Sequence, residues 1–151
     1  MDARIEPARE QDLSKMAVLL GHLFNQEAEF RPNQQAQLRG LRRIFEHPDQ
    51  GQLLVARDGD EILGMINLLW STSTALGDPV AWLEDLVVHP DLRGQGLGRG
   101  LLNAATALCR ERGIQRVTLL TDADNIPAQT LYRSCGFQPS VMLPMRLMLN
   151  A

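Results

Sequence analysis

Three glycines at alternate positions, Gly94, Gly96 and Gly98, form the part of this sequence best suited to bind a ligand. They follow an apolar strand, predicted from Leu83 to Val88, and lead directly into a helical pattern. Glycine lets the backbone come close to a ligand, and the N–H groups in the first turn of a helix have no partner within that helix. Because such a loop attracts anions, we predict a phosphate site here, with a pyrophosphate as the preferred group.

Two common nucleotide-binding loops do not fit this stretch. A Walker loop ends in Gly-Lys-Ser/Thr, whereas the only lysine in the chain is Lys15. The dinucleotide fingerprint needs a third glycine where this chain has Arg99 or Leu101, depending on which glycine starts the motif. It also needs an acidic residue about 20 positions further on, and the segment from Gly113 to Thr121 contains none. The loop therefore argues against both nucleotide-binding classes.

A second motif lies further along the chain and consists of Asn125, Ala128, Tyr132 and Gly136-Phe137. Asn125 precedes a helix with proline in its first turn, a position at which a side chain caps the helix or contacts a ligand. Tyr132 is two helical turns further on, so the two side chains lie on the same side of the helix. The motif thus directs two polar side chains towards one neighbour.

Together the two motifs resemble the signatures of the GNAT acetyltransferase superfamily, which are Arg/Gln-x-x-Gly-x-Gly and Asn-x-x-Ala-x-x-Leu/Phe-Tyr followed by Gly-Phe. The resemblance runs from Glu84 to Phe137. It implies the GNAT acyl-CoA N-acyltransferase fold, an α/β (α+β mixed sheet) architecture. In this fold a central, mostly antiparallel sheet contains a splayed parallel strand pair and is flanked by helices. It also implies acetyl-CoA as the acyl-donor substrate, direct transfer in a ternary complex, and no metal.

The same resemblance assigns roles to individual residues. The main chain around Leu86, Val87 and Val88 would pair with the pantetheine arm of the coenzyme. The phosphate loop and the start of its helix would bind the pyrophosphate through Arg93, Gly94, Gln95, Gly96, Leu97, Gly98 and Arg99, and Asn125 would contact the coenzyme. Tyr132, the only tyrosine, would act as the general acid beside the sulfur, since a tyrosine hydroxyl titrates near pH ~10 and is protonated at neutral pH.

Acetyl transfer to an amine also needs a base, because alkylamines titrate near ~10.4 and are protonated at neutral pH. Glu84 is the first candidate and Asp85 the second. Strict alternation along the strand would place Glu84 and Asp85 on opposite faces, so the two carboxylates could not share one face. It would group Trp82, Glu84, Leu86 and Val88 on one face and Leu83, Asp85 and Val87 on the other. The run from Trp82 to Val88 resembles the corresponding strand of diamine (polyamine) acetyltransferases.

The acceptor is the least defined part of the prediction. In this superfamily the first helix pair, its loop and the central strands build the acceptor pocket, which makes His22, Asn25, Glu27, Glu29 and Trp82 candidates for substrate binding. The acidic pair favours a primary amine of a small cationic molecule. An N-terminal or lysine amine of a protein is the alternative acceptor, and a catalytically silent acyl-CoA-binding sensor is the alternative of another class.

Composition sets the remaining limits. The 151 residues, 44% hydrophobic and 22% charged, suit one N-acetyltransferase domain over residues 1–151. The net charge of -3 and the absence of a basic stripe argue against a nucleic-acid partner. Cys109 and Cys135 lack metal-ligand spacing and favour a reducing, cytoplasmic setting, and no apolar run is long enough for a membrane span. Many relatives form homodimers, and the apolar run Met145 to Leu149 could support one here.

The apolar periodicity predicts alternating strands and helices without a linker or repeat. Strands are expected at Ala3 to Pro7, Gln52 to Arg57, Glu61 to Trp70, Val80 to Val88, Val117 to Thr121, Val141 to Met142 and Met145 to Leu149. Helices are expected after Asp12, from Asn33 to Phe45, from Gly98 to Arg112 and from Pro127 to Ser134. Two segments, Gln26 to Pro32 and Ser71 to Pro79, read as loops.

Overall fold

A computed structural model describes residues 2–26 and 33–150, with the backbone alone described at positions 25 and 26. The strands are β1 (Arg4–Pro7), β2 (Gly51–Asp58), β3 (Glu61–Ser73), β4 (Asp78–Val88) and β5 (Val117–Leu119). The helices are α1 (Leu13–Gln26), α2 (Gln34–Glu46), α3 (Leu97–Glu111) and α4 (Ile126–Ser134). Short 3₁₀ turns at Glu10–Asp12 and Pro90–Leu92 precede α1 and α3.

The strands form one five-stranded sheet in the order β1-β2-β3-β4-β5. Neighbouring strands are antiparallel except for β4 and β5, which are parallel. The pairing of these two ends at Leu83 and Leu119, so β4 continues to Val88 without β5 beside it. The predicted fold class, with its splayed parallel pair, is confirmed. β5 is shorter than predicted, ending at Leu119 instead of Thr121.

Helices cover both faces of the sheet. On one face α3 packs Leu101, Leu102 and Ala105 against the sheet, and the apolar part of α4 joins the same cluster. On the other face α1 and α2 pack Leu13, Met16, Leu20 and Leu41 against β2 and β3. Each helix buries the apolar side that its periodicity predicted. The helices of the described residues do not combine the length and apolar character that crossing a membrane requires.

A β-bulge interrupts the alternation along β4. Asn67 of β3 pairs with Asp85, but the next residue of β3, Leu68, pairs with Leu83, so Glu84 is one extra residue on β4. As a result Leu83 packs in the α3 cluster and Val87 in the cluster with α1 and α2. The prediction that Leu83, Asp85 and Val87 share a face is therefore wrong, because an inserted residue reverses the direction of every following side chain.

The final segment of the chain also differs from expectation. The runs from Val141 to Met142 and from Met145 to Leu149 were expected as strands, and in the structure neither pairs with another strand. Their apolar side chains are exposed, from 72% at Met148 to 100% at Val141. A strand needs a neighbour to take up its hydrogen-bonding groups, and this tail has none within the described residues.

The segment from Ser71 to Pro79, which was expected as a loop, is mostly strand. The strands β3 and β4 extend into it and are joined by a tight turn that contains Gly77, whose φ is 71°.

A buried ion pair ties the start of the chain to the hairpin of β2 and β3. The Arg57 guanidinium is 1% exposed and donates hydrogen bonds to both carboxylate oxygens of Asp12. Its Nε lies 2.6 Å from Glu6 Oε1. Asp12 also accepts a hydrogen bond of 2.7 Å from the Arg9 N–H. The charge of Arg57 is therefore balanced by two carboxylates that precede α1.

Candidate active site

The phosphate loop has the backbone geometry that the glycine pattern predicts. Gly94 and Gly96 have φ values of 80° and 84°, a left-handed conformation that suits glycine, and a Cβ at either position would meet no atom within 4 Å. Gly96 is the N-cap of α3 and provides no capping side chain, so the first-turn N–H groups face the loop. Gly98 serves packing instead, because its Cβ would lie 3.3 Å from Leu131 of α4.

This loop forms one wall of a cleft of about 730 Å³ that lies where β4 and β5 separate. The other walls are the second half of β4, one side of α4 with the segment that leads into it, and part of the final segment of the chain. The structure brings together in this cleft most of the predicted coenzyme-binding and catalytic residues: Glu84, Asp85, Leu86, Val87, Val88, Arg93, Gly94, Gly96, Leu97, Gly98, Arg99, Asn125 and Tyr132. Gln95 is exposed and does not line it. The cleft has the dimensions of a ligand site, and its anion-binding loop suits a phosphate-bearing ligand such as coenzyme A.

The two charged residues of the loop differ in their surroundings. Arg93 is exposed at the mouth of the cleft, where its guanidinium can reach a bound anion. Arg99 instead donates a hydrogen bond of 2.7 Å to Ser134 Oγ, and its guanidinium lies 3.6 Å from Cys135 Sγ. These contacts join the first turn of α3 to the end of α4. Arg99 therefore holds the two sequence motifs in register, and its N–H remains the part suited to an anion.

The second motif is arranged around α4. Asn125 caps this helix, since its Oδ1 accepts a hydrogen bond of 3.2 Å from the Ala128 N–H. Tyr132 lies two turns along the same helix, and its ring packs edge-on against Phe137 at 5.9 Å. Both side chains line the cleft as the helical spacing predicted.

A second cavity of about 690 Å³ lies on the face of the sheet that α1 and α2 cover. Its wall is mostly apolar, with Leu20, Phe24, Leu41, Ile44 and Leu69, and its polar groups include Gln37, Arg43 and Asn67. Glu84 and Asp85 line this cavity as well as the cleft beside the phosphate loop. The two spaces therefore share this pair of carboxylates in their walls.

Glu84 and Asp85 both line the cavity under α1 and α2, so the prediction that the two carboxylates cannot share one face is wrong. They share it because the bulge at Glu84 breaks the strict alternation on which that prediction depended. Their environments differ, since Glu84 is exposed while Asp85 is half-buried and hydrogen-bonded to Asn67. Burial raises the pKa of Asp85 to about 6; the hydrogen bond from Asn67 opposes this shift and the charge of Glu84 adds to it. Asp85 thus combines a fixed orientation with a carboxyl group that changes charge close to neutral pH.

The predicted acceptor residues are only partly placed. Trp82 is 40% exposed and lines the coenzyme-side cleft. His22 packs against His89, with ring centroids 5.7 Å apart, and neither histidine lines the two cavities. Asn25 belongs to α1, but its side chain is not described, and Glu27 and Glu29 lie outside the described residues. The predictions for Asn25, Glu27 and Glu29 stay predictions.

Sequence reasoning missed Asn67, Gln37 and Arg43. Asn67 had a usable signal, since it is the single polar residue in the apolar run from Ile62 to Trp70. Gln37 and Arg43 lie on α2 among other polar residues, so their positions in the sequence did not distinguish them.

Comparison with known proteins agrees with this architecture. Residues 18–137 match the family described as Acetyltransferase (GNAT) family. The chain belongs to this GNAT family. The resemblance expected from the two sequence motifs is thereby confirmed, and the match extends it to most of α1 and to α2, β2, β3 and the first part of β4. A solved GNAT-like structure, that of a possible acetyltransferase from Clostridium difficile 630, has a TM-score of 0.86 and 18% identity and covers 97% of each chain, which shows a common fold.

Two curated relatives indicate the range of acceptors within the GNAT family. A Bacillus subtilis protein provisionally named ribosomal protein bS18-alanine N-acetyltransferase is 32% identical over 96 residues, which are 64% of this chain and 59% of that protein. The mycothiol acetyltransferase of Geodermatophilus obscurus is 33% identical over 129 residues, covering 70% of this chain and 41% of its own length. The chain thus spans less than two thirds of either relative. Neither name refers to a diamine or polyamine. The resemblance of the strand from Trp82 to Val88 to diamine (polyamine) acetyltransferases therefore stays a prediction.

Proposed function

We propose that this chain is an acetyl-CoA-dependent N-acetyltransferase that moves an acetyl group directly to a primary amine. The observation that supports this most is that Glu84 and Asp85 line both spaces. One space has an anion-binding loop that suits the coenzyme, and the other has an apolar wall that suits the body of an acceptor. A donor in one space and an acceptor in the other would both lie beside groups able to take a proton.

The proposed chemistry divides among a few residues. When bound, acetyl-CoA supplies an acetyl thioester. The loop N–H groups and Arg93 hold the pyrophosphate, and the unpaired edge of β4 at Leu86 to Val88 aligns the pantetheine arm. The cationic amine first releases one proton to solvent and becomes a neutral nucleophile. Asp85 then accepts a second proton from its nitrogen as the C–N bond forms, and Tyr132 donates a proton to the sulfur as the C–S bond breaks. We therefore propose Asp85 as the base in preference to Glu84, whereas the sequence made Glu84 the first candidate.

The acceptor cavity suggests a small amine with an apolar body. The two carboxylates that line it would attract a cationic amine. The cavity also contains Arg43, which would repel a second positive charge, so a polyamine fits less well than a monoamine. The N-terminal amine of a protein is the second candidate, and the relative named for an alanine of ribosomal protein bS18 supports it.

A coenzyme-release assay over apolar monoamines, polyamines, amino acids, aminoglycosides and N-terminal peptides tests the proposal, with the acetylated product identified by mass. We expect turnover with monoamines and less with polyamines. Tight acetyl-CoA binding without release across the whole panel would contradict the proposal and favour the alternative of an acyl-CoA sensor. A mass increase of the protein incubated with acetyl-CoA alone would contradict direct transfer.

The pH dependence of turnover should identify the base. We expect kcat/KM to rise with pH through about 6, because Asp85 must be ionised to accept a proton. Asp85→Asn should lower kcat/KM by about 100-fold and remove this rise. Glu84→Gln is the matched control and should keep the rise, shifted to lower pH, because a neighbouring negative charge is gone.

Initial rates from pH 5 to 8 with one acceptor check this result. Loss of the rise in Glu84→Gln together with its survival in Asp85→Asn would assign the base to Glu84 instead. Asp85→Asn should unfold no more easily than the parent protein at pH 7. Folding raises the pKa of Asp85 to about 6, so ionisation of this carboxyl lowers the stability of the parent protein as the pH increases from about 4 to about 6. A loss of activity in this variant would then not be a loss of folding.

We further propose that the protein acts as a cytoplasmic homodimer in which a second copy covers the exposed tail from Val141 to Leu149. This segment presents seven large apolar side chains to solvent, a patch that monomers seldom leave open. Among the described residues no strand pairs with the edge of β5 that does not face β4, and this edge offers hydrogen-bonding groups to an added strand. Pro144 and Arg146 of the tail line the coenzyme-side cleft, so covering the tail would also affect that site.

Sedimentation equilibrium tests this assembly. The parent protein should have twice the mass of one chain, and the double variant Met145→Asp/Leu147→Asp should be a monomer, because charges on the tail oppose its burial. Val18→Asp, which changes an apolar residue that is 51% exposed on α1, is the control and should remain a dimer. A monomeric parent protein would contradict the proposal.

A further inference from the structure

We infer that Asn67 is a positioning residue that fixes Asp85 as the base and leaves one of its carboxylate oxygens facing the acceptor. This inference rests on the proposed function, because it assigns a task within the proposed proton transfer. Asn67 belongs to β3 and lies directly opposite Asp85 of β4. The two side chains therefore emerge from the same face of the sheet, towards α1 and α2.

Two hydrogen bonds join this pair. Asn67 Oδ1 accepts from the main-chain N–H of Asp85 at 2.7 Å, and Asn67 Nδ2 donates to Asp85 Oδ2 at 2.9 Å. One carboxamide thus holds both the backbone and the carboxylate of a single residue. The first bond fixes where the Asp85 backbone sits beside the bulge, and the second fixes the rotation of its side chain.

The remaining carboxylate oxygen, Asp85 Oδ1, has no hydrogen-bond partner among the residues that the structure describes. It belongs to a side chain that lines both cavities. Asn67 itself is 2% exposed, so the acceptor does not compete with Asp85 for its carboxamide. Of the two carboxylate oxygens of Asp85, Oδ2 is therefore bound to Asn67, and Oδ1 is available to the acceptor amine.

Glu84 has no comparable partner among the described residues, and it is exposed. An unrestrained carboxylate loses more conformational freedom when it adopts one reactive orientation. Asn67 therefore decides which of two adjacent acids is held ready for proton transfer. The charged and titratable groups that line the same two cavities, and so can influence Asp85, are Glu84, Arg43, Arg93, Arg99, Asp122, Tyr132 and Arg146.

The test replaces Asn67 with leucine, which has a similar size and makes neither hydrogen bond. We expect kcat to fall by roughly 10- to 100-fold, a part of the about 10²- to 10⁴-fold that acid–base catalysis supplies. The rise of kcat/KM with pH should move above its position in the parent protein, because a hydrogen bond to the ionised form of Asp85 is lost. Asn67→Gln keeps the carboxamide, one methylene further from the backbone, so it should restore part of the activity.

Gln37→Leu is the matched control. Gln37 is a buried amide that lines the acceptor cavity and bonds to α1 and Asn33 instead of Asp85. This substitution should leave the pH at which kcat/KM rises unchanged, whatever its effect on KM for the acceptor. Thermal unfolding of each variant with coenzyme A present shows whether the donor site is still folded.

Combining Asn67→Leu with Asp85→Asn separates this inference from the proposed function. If Asn67 acts through Asp85, Asn67→Leu should cost little in a protein that already has Asp85→Asn. Equal and additive losses, or an Asn67→Leu protein with the parent's kcat and pH profile, would overturn the inference while leaving the acetyltransferase proposal intact. A parent protein without turnover on any amine would instead overturn the proposed function itself.

Discussion

Replacing Tyr132 with phenylalanine is expected to lower kcat by roughly 100- to 1000-fold, within the range that a general acid contributes. The substitution removes one hydroxyl group and keeps the ring that packs against Phe137. A thiolate leaving group that receives no proton is a poorer leaving group at neutral pH, so the loss should appear in kcat and not in the KM for acetyl-CoA.

Steady-state rates and a direct measurement of coenzyme binding check this result. The dissociation constant of coenzyme A should change less than about threefold, because the pyrophosphate is bound by the loop around Gly96 and not by Tyr132. Poorer acceptors should show the same loss, since the leaving group is unchanged. Full activity in the phenylalanine variant would exclude Tyr132 as the acid, and a matching loss of coenzyme binding would make it a binding residue.

Replacing Asp12 with alanine is expected to lower the free energy of unfolding by about 3–5 kcal/mol, the usual cost of removing one partner of a buried ion pair. Arg57 would lose both of its hydrogen bonds to Asp12 and would keep only the contact with Glu6. Glu10→Ala is the matched control two residues earlier. Its ion pair with Arg42 is exposed, so the change should cost less than about 1 kcal/mol.

The same pair predicts how stability depends on acid. Burial raises the pKa of Asp12. The hydrogen bonds from Arg57 and Arg9 and the charge of Arg57 together lower this pKa by more than burial raises it, so the net shift is downward. A lowered pKa contributes stability above the unfolded value of about 3.9, and this contribution disappears as pH falls through the folded value.

Urea unfolding of the parent protein and Asp12→Ala from pH 2 to 7 measures the effect. The difference between the two proteins should be largest at neutral pH and should shrink below about pH 4. A difference that stays constant down to pH 2 would show that the loss arises from the alanine cavity and not from the ion pair.

Local features of the coenzyme site could be predicted because they depend on neighbours in sequence. The positive φ angles at Gly94 and Gly96 need glycine, and the loop precedes a helix that starts within the same motif. Asn125 and Tyr132 lie on one helix, where spacing alone decides that both face the cleft. Hydrophobic periodicity likewise predicted all four helices and the five strands of the sheet, with errors mainly at their ends.

The acceptor side could not be predicted in the same way. The bulge at Glu84 depends on how β3 pairs with β4, and the alternation rule applied to β4 alone gave the wrong faces. The tail from Val141 to Leu149 has a strand-like sequence, yet whether such a segment becomes a strand depends on a partner elsewhere. Both errors concern pairing between segments that local patterns do not describe.

By itself, therefore, the sequence determined the family, the phosphate loop and the placement of Tyr132 beside it, since each depends on backbone preferences and spacing within a few turns. Only the tertiary structure decided that Glu84 and Asp85 share one site. It also decided that Asn67 binds Asp85, 18 residues away in the sequence, and that Arg57 pairs with Asp12, 45 residues away. These contacts arise from the register of the sheet and the packing of helices on it. Such long-range geometry is set by the whole fold, and no short motif encodes it.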